Sequence, residues 1–111
     1  LANRNDEIET VGGGSYHNHR IGQWSEFQAA AFLTRRKFEV YSHHGQSICD
    51  LIAVKRKGLR LLVHLIEVKH NNLEYGNTNF KDLRKEQKMY GIKLLVVNSD
   101  GAVVPHFELE K

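Results

Sequence analysis

Two strand-forming runs lie only four residues apart in this chain: ICDLIAV at 48–54 and LRLLVHLIEVKH at 59–70. Aliphatic and β-branched residues at this density suit a pleated, half-buried surface. The break between them, Lys55-Arg56-Lys57-Gly58, is basic and ends on a glycine that can take the positive φ of a tight turn. An antiparallel hairpin is therefore the first prediction.

Other elements follow from local signals. Residues 21–37 are rich in helix formers and lack proline, so they predict a helix. Residues 38–42 predict a short strand and residues 43–47 a loop. Residues 71–78 are polar and read as a second loop. A second helix is expected from Phe80 to about Tyr90, capped by Thr78 or Asn79 and stopped by Gly91. KLLVVN at 93–98 predicts a buried strand, and residues 102–109 a last strand that Pro105 consigns to a sheet edge. The order α-β-β-β-α-β-β implies an α/β fold with a central mixed sheet flanked by helices. At 111 residues the chain fits one domain. We assign 17–111 to it and read the polar residues 1–16, with Gly12-Gly13-Gly14-Ser15, as a flexible arm.

Composition narrows the function classes. A single Cys excludes an intrachain disulfide and a cysteine zinc cage and suits a reducing, cytoplasmic setting. No apolar run reaches the length of a membrane span, so no membrane partner is expected. The formal charge of +3 is small, but Arg4 faces Asp6, Glu7 and Glu9 within the first ten residues, which leaves +5 on residues 11–111. Eleven of the 16 basic residues fall in three clusters: Arg35-Arg36-Lys37, Lys55-Arg56-Lys57 with Arg60, and Lys81, Arg84, Lys85 and Lys88. Clustered positive charge is compatible with a polyanion, although a solvated surface gives the same pattern.

Asp50, Glu67 and Lys69 carry the chemistry. Alternation along a strand puts Glu67 and Lys69 on one face with Val68 on the other, and the hairpin brings Asp50 beside Glu67. Ionised groups among Ile52, Val54 and Leu65 are costly unless paired or bound to a metal. Paired carboxylates suit a hard cation such as Mg²⁺ that also contacts substrate phosphate. An alternating charged pair on an exposed strand face is the plainer alternative.

With these residues, the stretch from about Arg20 to Val97 resembles the PD-(D/E)XK nuclease superfamily, which includes restriction endonucleases, Holliday junction resolvases and small phage repair nucleases. The motifs stand in the family's order: Gly22 and Glu26 on a first helix, Asp50 in Cys-Asp-Leu-Ile-Ala-Val, Glu67-Val68-Lys69, Gln87 on the next helix, then Leu94-Leu95-Val96-Val97. The resemblance implies a restriction-endonuclease-like core. It implies that Asp50, Glu67 and the carbonyl of Val68 ligate Mg²⁺ or Mn²⁺, that Lys69 acts on the attacking water, that Glu26 supports the metal or its waters, and that Gln87 reaches towards the site. Cys49 stands where the family's name has proline.

The second helix then gains a possible role. Lys81, Arg84, Lys85 and Lys88 share one face at helical spacing and could track a phosphate backbone, with Lys55, Arg56 and Lys57 adding contacts. A solvated basic face is the alternative. Among the histidines, His64 lies on the strand face opposite Glu67 and reads as structural, His43 and His44 in their loop could contact DNA or help orient a phosphate, and His70 could border the site. The expected function is a metal-dependent endodeoxyribonuclease acting on branched or junction DNA. A site-specific homing or restriction-type endonuclease and an inactive nucleic-acid-binding module are the alternatives. Cutting both strands favours a homodimer, with Trp24, Phe32 and Phe107 as candidates for either its interface or the core.

Overall fold

The computed structural model describes residues 13–43, 46–72 and 81–111, with side chains from Arg20 onward. The element order is α1 (Gly13–Arg35), β1 (Glu39–Ser42), β2 (Leu51–Lys57), β3 (Arg60–Asn71), α2 (Lys85–Met89), β4 (Lys93–Asn98) and β5 (Val103–Pro105). This is the expected alternation of helices and strands. His44, most of the polar loop and the expected caps Thr78 and Asn79 lie outside the described residues.

The five strands form one mixed sheet in the order β1-β2-β3-β4-β5. Only β3 and β4 are parallel, which is why the chain leaves the sheet between them and returns through α2. The hairpin is real, but its turn is shorter than expected. Lys57 pairs with Arg60, so Lys55, Arg56 and Lys57 belong to β2 and the turn is Gly58-Leu59 alone. Gly58 takes φ 65° while Leu59 does not turn positive, the sign pattern of a type II′ hairpin. Strand β4 has the expected bounds, and β5 with Pro105 lies at the edge.

Helix α1 begins at Gly13, eight residues before the expected start, so Gly13, Gly14, Ser15 and Tyr16 are helical backbone rather than arm. Its buried stripe is Ser25, Ala29 and Leu33, at i, i+4 and i+8. Small residues at two of these positions let the helix lie close on the sheet. Leu51, Ala53, Leu62, Ile66, Leu95 and Val97 rise from the sheet to meet it, and Phe32 and Phe107 pack against the same core. Those two rings are therefore core-packed, while Trp24 stays 36% exposed. His64 is buried on this face, between Phe38 and Phe107, and its Nε2–H donates to the carbonyl of Leu109 at 2.8 Å. It is structural, as expected.

Both helices end in the same left-handed motif on different residues. At α1, Phe38 N–H returns to Leu33 O (3.1 Å) and Lys37 N–H to Thr34 O (3.0 Å), with Lys37 at φ 73°. At α2, Ile92 N–H returns to Gln87 O (3.0 Å) and Gly91 N–H to Lys88 O (3.1 Å), with Gly91 at φ 75°. Gly91 is thus the expected stop, whereas α1 is stopped by a lysine in a glycine position.

Helix α2 has five residues, not the eleven expected. The N-terminal shortfall has a local cause. Asp82 Oδ1 accepts the N–H of Leu83 at 2.7 Å, and Gln87 Oε1 accepts the N–H of Arg84 at 3.0 Å. These side-chain bonds satisfy main-chain donors outside the helix and cap it at Arg84, whose ψ is 155°.

Candidate functional site

Strand β2 starts one residue after Asp50, because that residue's side chain replaces the next rung of the ladder. Leu51 pairs with Ile66, and Asp50 N–H still donates to Ile66 O at 2.9 Å. One step further along β3, the N–H of Val68 donates not to a strand carbonyl but to Asp50 Oδ2, at 2.8 Å. The N–H and carbonyl of one strand residue point to the same side. The Val68 carbonyl therefore also faces the Asp50 side, beyond the end of the β2–β3 pairing.

Glu67 projects from the face opposite Ile66 and Val68, beside Asp50. Lys69 follows on the same face, with Nζ 3.3 Å from Glu67 Oε2. Burial raises the pKa of Asp50 most. The Val68 hydrogen bond opposes that rise, Glu67 adds to it by its charge and by a hydrogen bond between the two carboxyl groups, and the Lys69 ammonium opposes it. The net direction is upward: two carboxylates in contact, one of them poorly hydrated, retain a proton or take up a cation. The cluster of two carboxylates and one ammonium has a formal charge of −1 when fully ionised. Among the described residues no three His, Cys, Asp or Glu side chains converge as a metal cage. The carboxylate pair and the Val68 carbonyl instead form an open set of oxygen donors.

Gln87 joins this site through the main chain. It is 2% exposed, and its Nε2 donates to the carbonyl of Ile48 at 3.2 Å while its Oε1 accepts from Arg84. It therefore ties the first turn of α2 to the segment that leads into Asp50. Gln87, Arg84 and Tyr90 line one wall of an open groove, with Ser47, Ile48 and Asp50 on the other.

The other expected residues are dispersed. Glu26 on α1 lines a neighbouring cleft with Val40, Ser42 and Leu51; a second cleft holding Asp50 shares Ser42 and Leu51 with it. The expected basic stripe does not form as one helix face. Lys81 and Arg84 precede α2, Lys88 Nζ is held by Asp82 Oδ2 at 2.9 Å, and Arg84 Nε lies 4.0 Å from Glu86. Lys55 and Lys57 alternate with Arg56 and so share the strand face of Leu51 and Ala53, opposite the carboxylate pair.

Two residues adjoin the motif in sequence: Cys49, in the proline position, and His70, which was expected to border the site but lies on the strand face opposite Glu67 and Lys69. His70 turns towards α1, where Ser25 Oγ lies 3.4 Å from Nδ1 and Trp24 meets the ring edge-on with centroids 6.0 Å apart. Burial lowers its pKa. Cys49 is buried, and its thiol pKa is raised first by burial and further by the charges of Asp50 and Glu67, against a main-chain hydrogen bond at Ile66. It is a neutral thiol filling the position before Asp50.

No protein-family model, curated protein or solved structure matches this chain.

Proposed function

We propose that the chain is a metal-dependent endodeoxyribonuclease of the PD-(D/E)XK type, hydrolysing phosphodiester bonds in DNA with Mg²⁺ or Mn²⁺. The observation that carries this reading is the meeting of Asp50, Glu67 and Lys69 where the β2–β3 ladder ends, with Asp50 anchored on the N–H of Val68. An antiparallel hairpin followed by a helix and a parallel strand agrees with the restriction-endonuclease-like core that the resemblance implies.

The donor set suits the cation. Mg²⁺ prefers hard oxygen ligands, needs only one or two carboxylates, and completes its shell with water and substrate phosphate. Asp50 and Glu67, with the Val68 carbonyl, would hold it, and the bound ion would supply Lewis-acid stabilisation of charge on the phosphoryl oxygens. The Val68 N–H fixes the orientation of the Asp50 carboxylate. Lys69, beside Glu67, supplies N–H donors that orient an attacking water or a non-bridging phosphate oxygen. Gln87 is a positioning residue, acting through the main chain ahead of Asp50.

Branched or junction DNA is the proposed substrate, following the resolvase-like members of the superfamily. One carboxylate pair per chain cuts one strand, so paired cuts require two copies related by a twofold axis. The test is a panel of linear, nicked, looped and four-way DNAs incubated with Mg²⁺ or Mn²⁺. Symmetric cuts in the four-way substrate are expected. Cleavage at one duplex sequence would instead indicate a homing or restriction-type enzyme, and binding without cleavage of any substrate would leave a nucleic-acid-binding module.

A further inference from the structure

Two basic clusters that are far apart in sequence meet at one corner of the sheet. Lys55 Nζ donates to the carbonyl of Arg36 at 3.0 Å, just past the C-terminus of α1, and lies 5.0 Å from the centre of the Phe38 ring. This ammonium is held over the face of the Phe38 ring and by the negative end of the helix. Lys57 follows on the same strand face.

The chain has placed its own anion there. Glu110 Oε2 and Oε1 accept from Lys55 Nζ at 2.9 and 3.1 Å, and Oε1 also accepts from Lys57 Nζ at 3.1 Å. Lys57 Nζ donates in addition to the Glu110 carbonyl at 3.0 Å. The segment is seated one residue earlier by the His64–Leu109 hydrogen bond. Two carboxylate oxygens shared between two ammoniums offer the chemistry of two non-bridging oxygens of a phosphodiester. Exposed ion pairs of this kind are weak and exchange readily.

We propose that Lys55 and Lys57 form a phosphate-backbone site for DNA and that Glu110 occupies it as an internal competitor, displaced when DNA binds. The ligand rests on the nucleic-acid reading above, but the site does not depend on the carboxylate pair. The strand from Asp50 to Lys57 is roughly 23 Å long, so binding at the corner and cleavage at Asp50 are separable.

The experiment measures binding of a short labelled duplex in EDTA, where no metal-dependent cleavage occurs, across a salt series. Glu110→Gln should bind roughly threefold or more tightly at low salt. Its log–log salt slope should steepen by about one, because in the parent the displaced Glu110 carboxylate takes up a cation and offsets one of those released from the DNA. Lys55→Gln with Lys57→Gln should weaken binding and flatten the slope, and adding Glu110→Gln to that pair should change nothing more. Glu108→Gln removes the same charge from an ion pair with Lys111 and controls for net charge. If the double lysine variant melts early, the exposed Lys57→Gln alone takes its place.

The proposal fails if Glu110→Gln matches the parent, if Glu108→Gln matches Glu110→Gln, or if the gain survives removal of the lysines. It also fails if neither parent nor variant binds duplex at low salt. A chain that binds as described but cuts no DNA would overturn the endonuclease reading and leave this site standing.

Discussion

The carboxylate of Asp50 accepts the main-chain N–H of Val68 at 2.8 Å, in the position where β2 would otherwise have continued its ladder with β3. One hydrogen bond thus ends a strand, orients a carboxylate and turns the Val68 carbonyl towards it.

Asp50 should make stability depend on pH in an unusual direction. Its pKa is raised in the fold by burial and by Glu67, so its contribution is fully present below the ordinary carboxylate value and is lost as pH rises through the raised one. Asp50→Asn keeps an acceptor for Val68 N–H but cannot ionise. In metal-free buffer the variant should therefore melt above the parent at neutral pH, with the difference vanishing in acid. Added Mg²⁺ should raise the parent's Tm near neutral pH, far less in acid, and leave Asp50→Asn unmoved. Thermal melts at several pH values, with EDTA or Mg²⁺, check all three.

Lys69→Ala should lower single-turnover cleavage by roughly 10²–10³-fold, the usual cost of losing a donor aimed at developing charge. Duplex binding in EDTA should change little, since one half-buried ammonium paired with Glu67 adds little to backbone affinity. Lys69→Arg should not restore the rate, because a planar guanidinium cannot replace a compact ammonium at that distance. Equal losses in binding and cleavage would count against the assigned role.

Gln87→Ala leaves the Arg84 N–H and the Ile48 carbonyl without their side-chain partner, at a cost of about 2 kcal/mol. If Gln87 positions Asp50, the folded variant should also lose cleavage rate and Mg²⁺ affinity while duplex binding in EDTA holds. Gln87→Glu keeps the acceptor for Arg84 but buries a carboxylate oxygen against the Ile48 carbonyl, and should lose more stability at neutral pH than Gln87→Ala. A stability loss with unchanged Mg²⁺ affinity would make the residue purely structural.

Lys37 occupies a left-handed position at φ 73° where glycine carries no steric penalty. Lys37→Gly should stabilise the fold by about 1 kcal/mol, or roughly 4–8 °C in Tm. Gly91→Ala, at φ 75° in the equivalent position after α2, should cost about as much. Denaturant melts of the two variants should move in opposite directions.

The sequence by itself determined the order of elements, the limits of β4, the stop at Gly91, the edge position of Pro105 and the common face of Glu67 and Lys69. Each is written within a few neighbouring residues, in strand alternation, burial of KLLVVN, a missing Cβ or a missing N–H. Asp82 and Gln87 cut the second helix to five residues by taking main-chain donors one and three positions away, a local competition that helix propensity does not register, and the basic stripe expected on it dissolved with it. Tertiary structure decided the rest. Asp50 found Val68 across 18 positions, Gln87 found Ile48 across 39, and Lys55 found Glu110 across 55. Side-chain bonds over such separations depend on where the sheet and helices bring main-chain groups together. Hydrophobic periodicity records which face is buried, not which polar atom will meet it there.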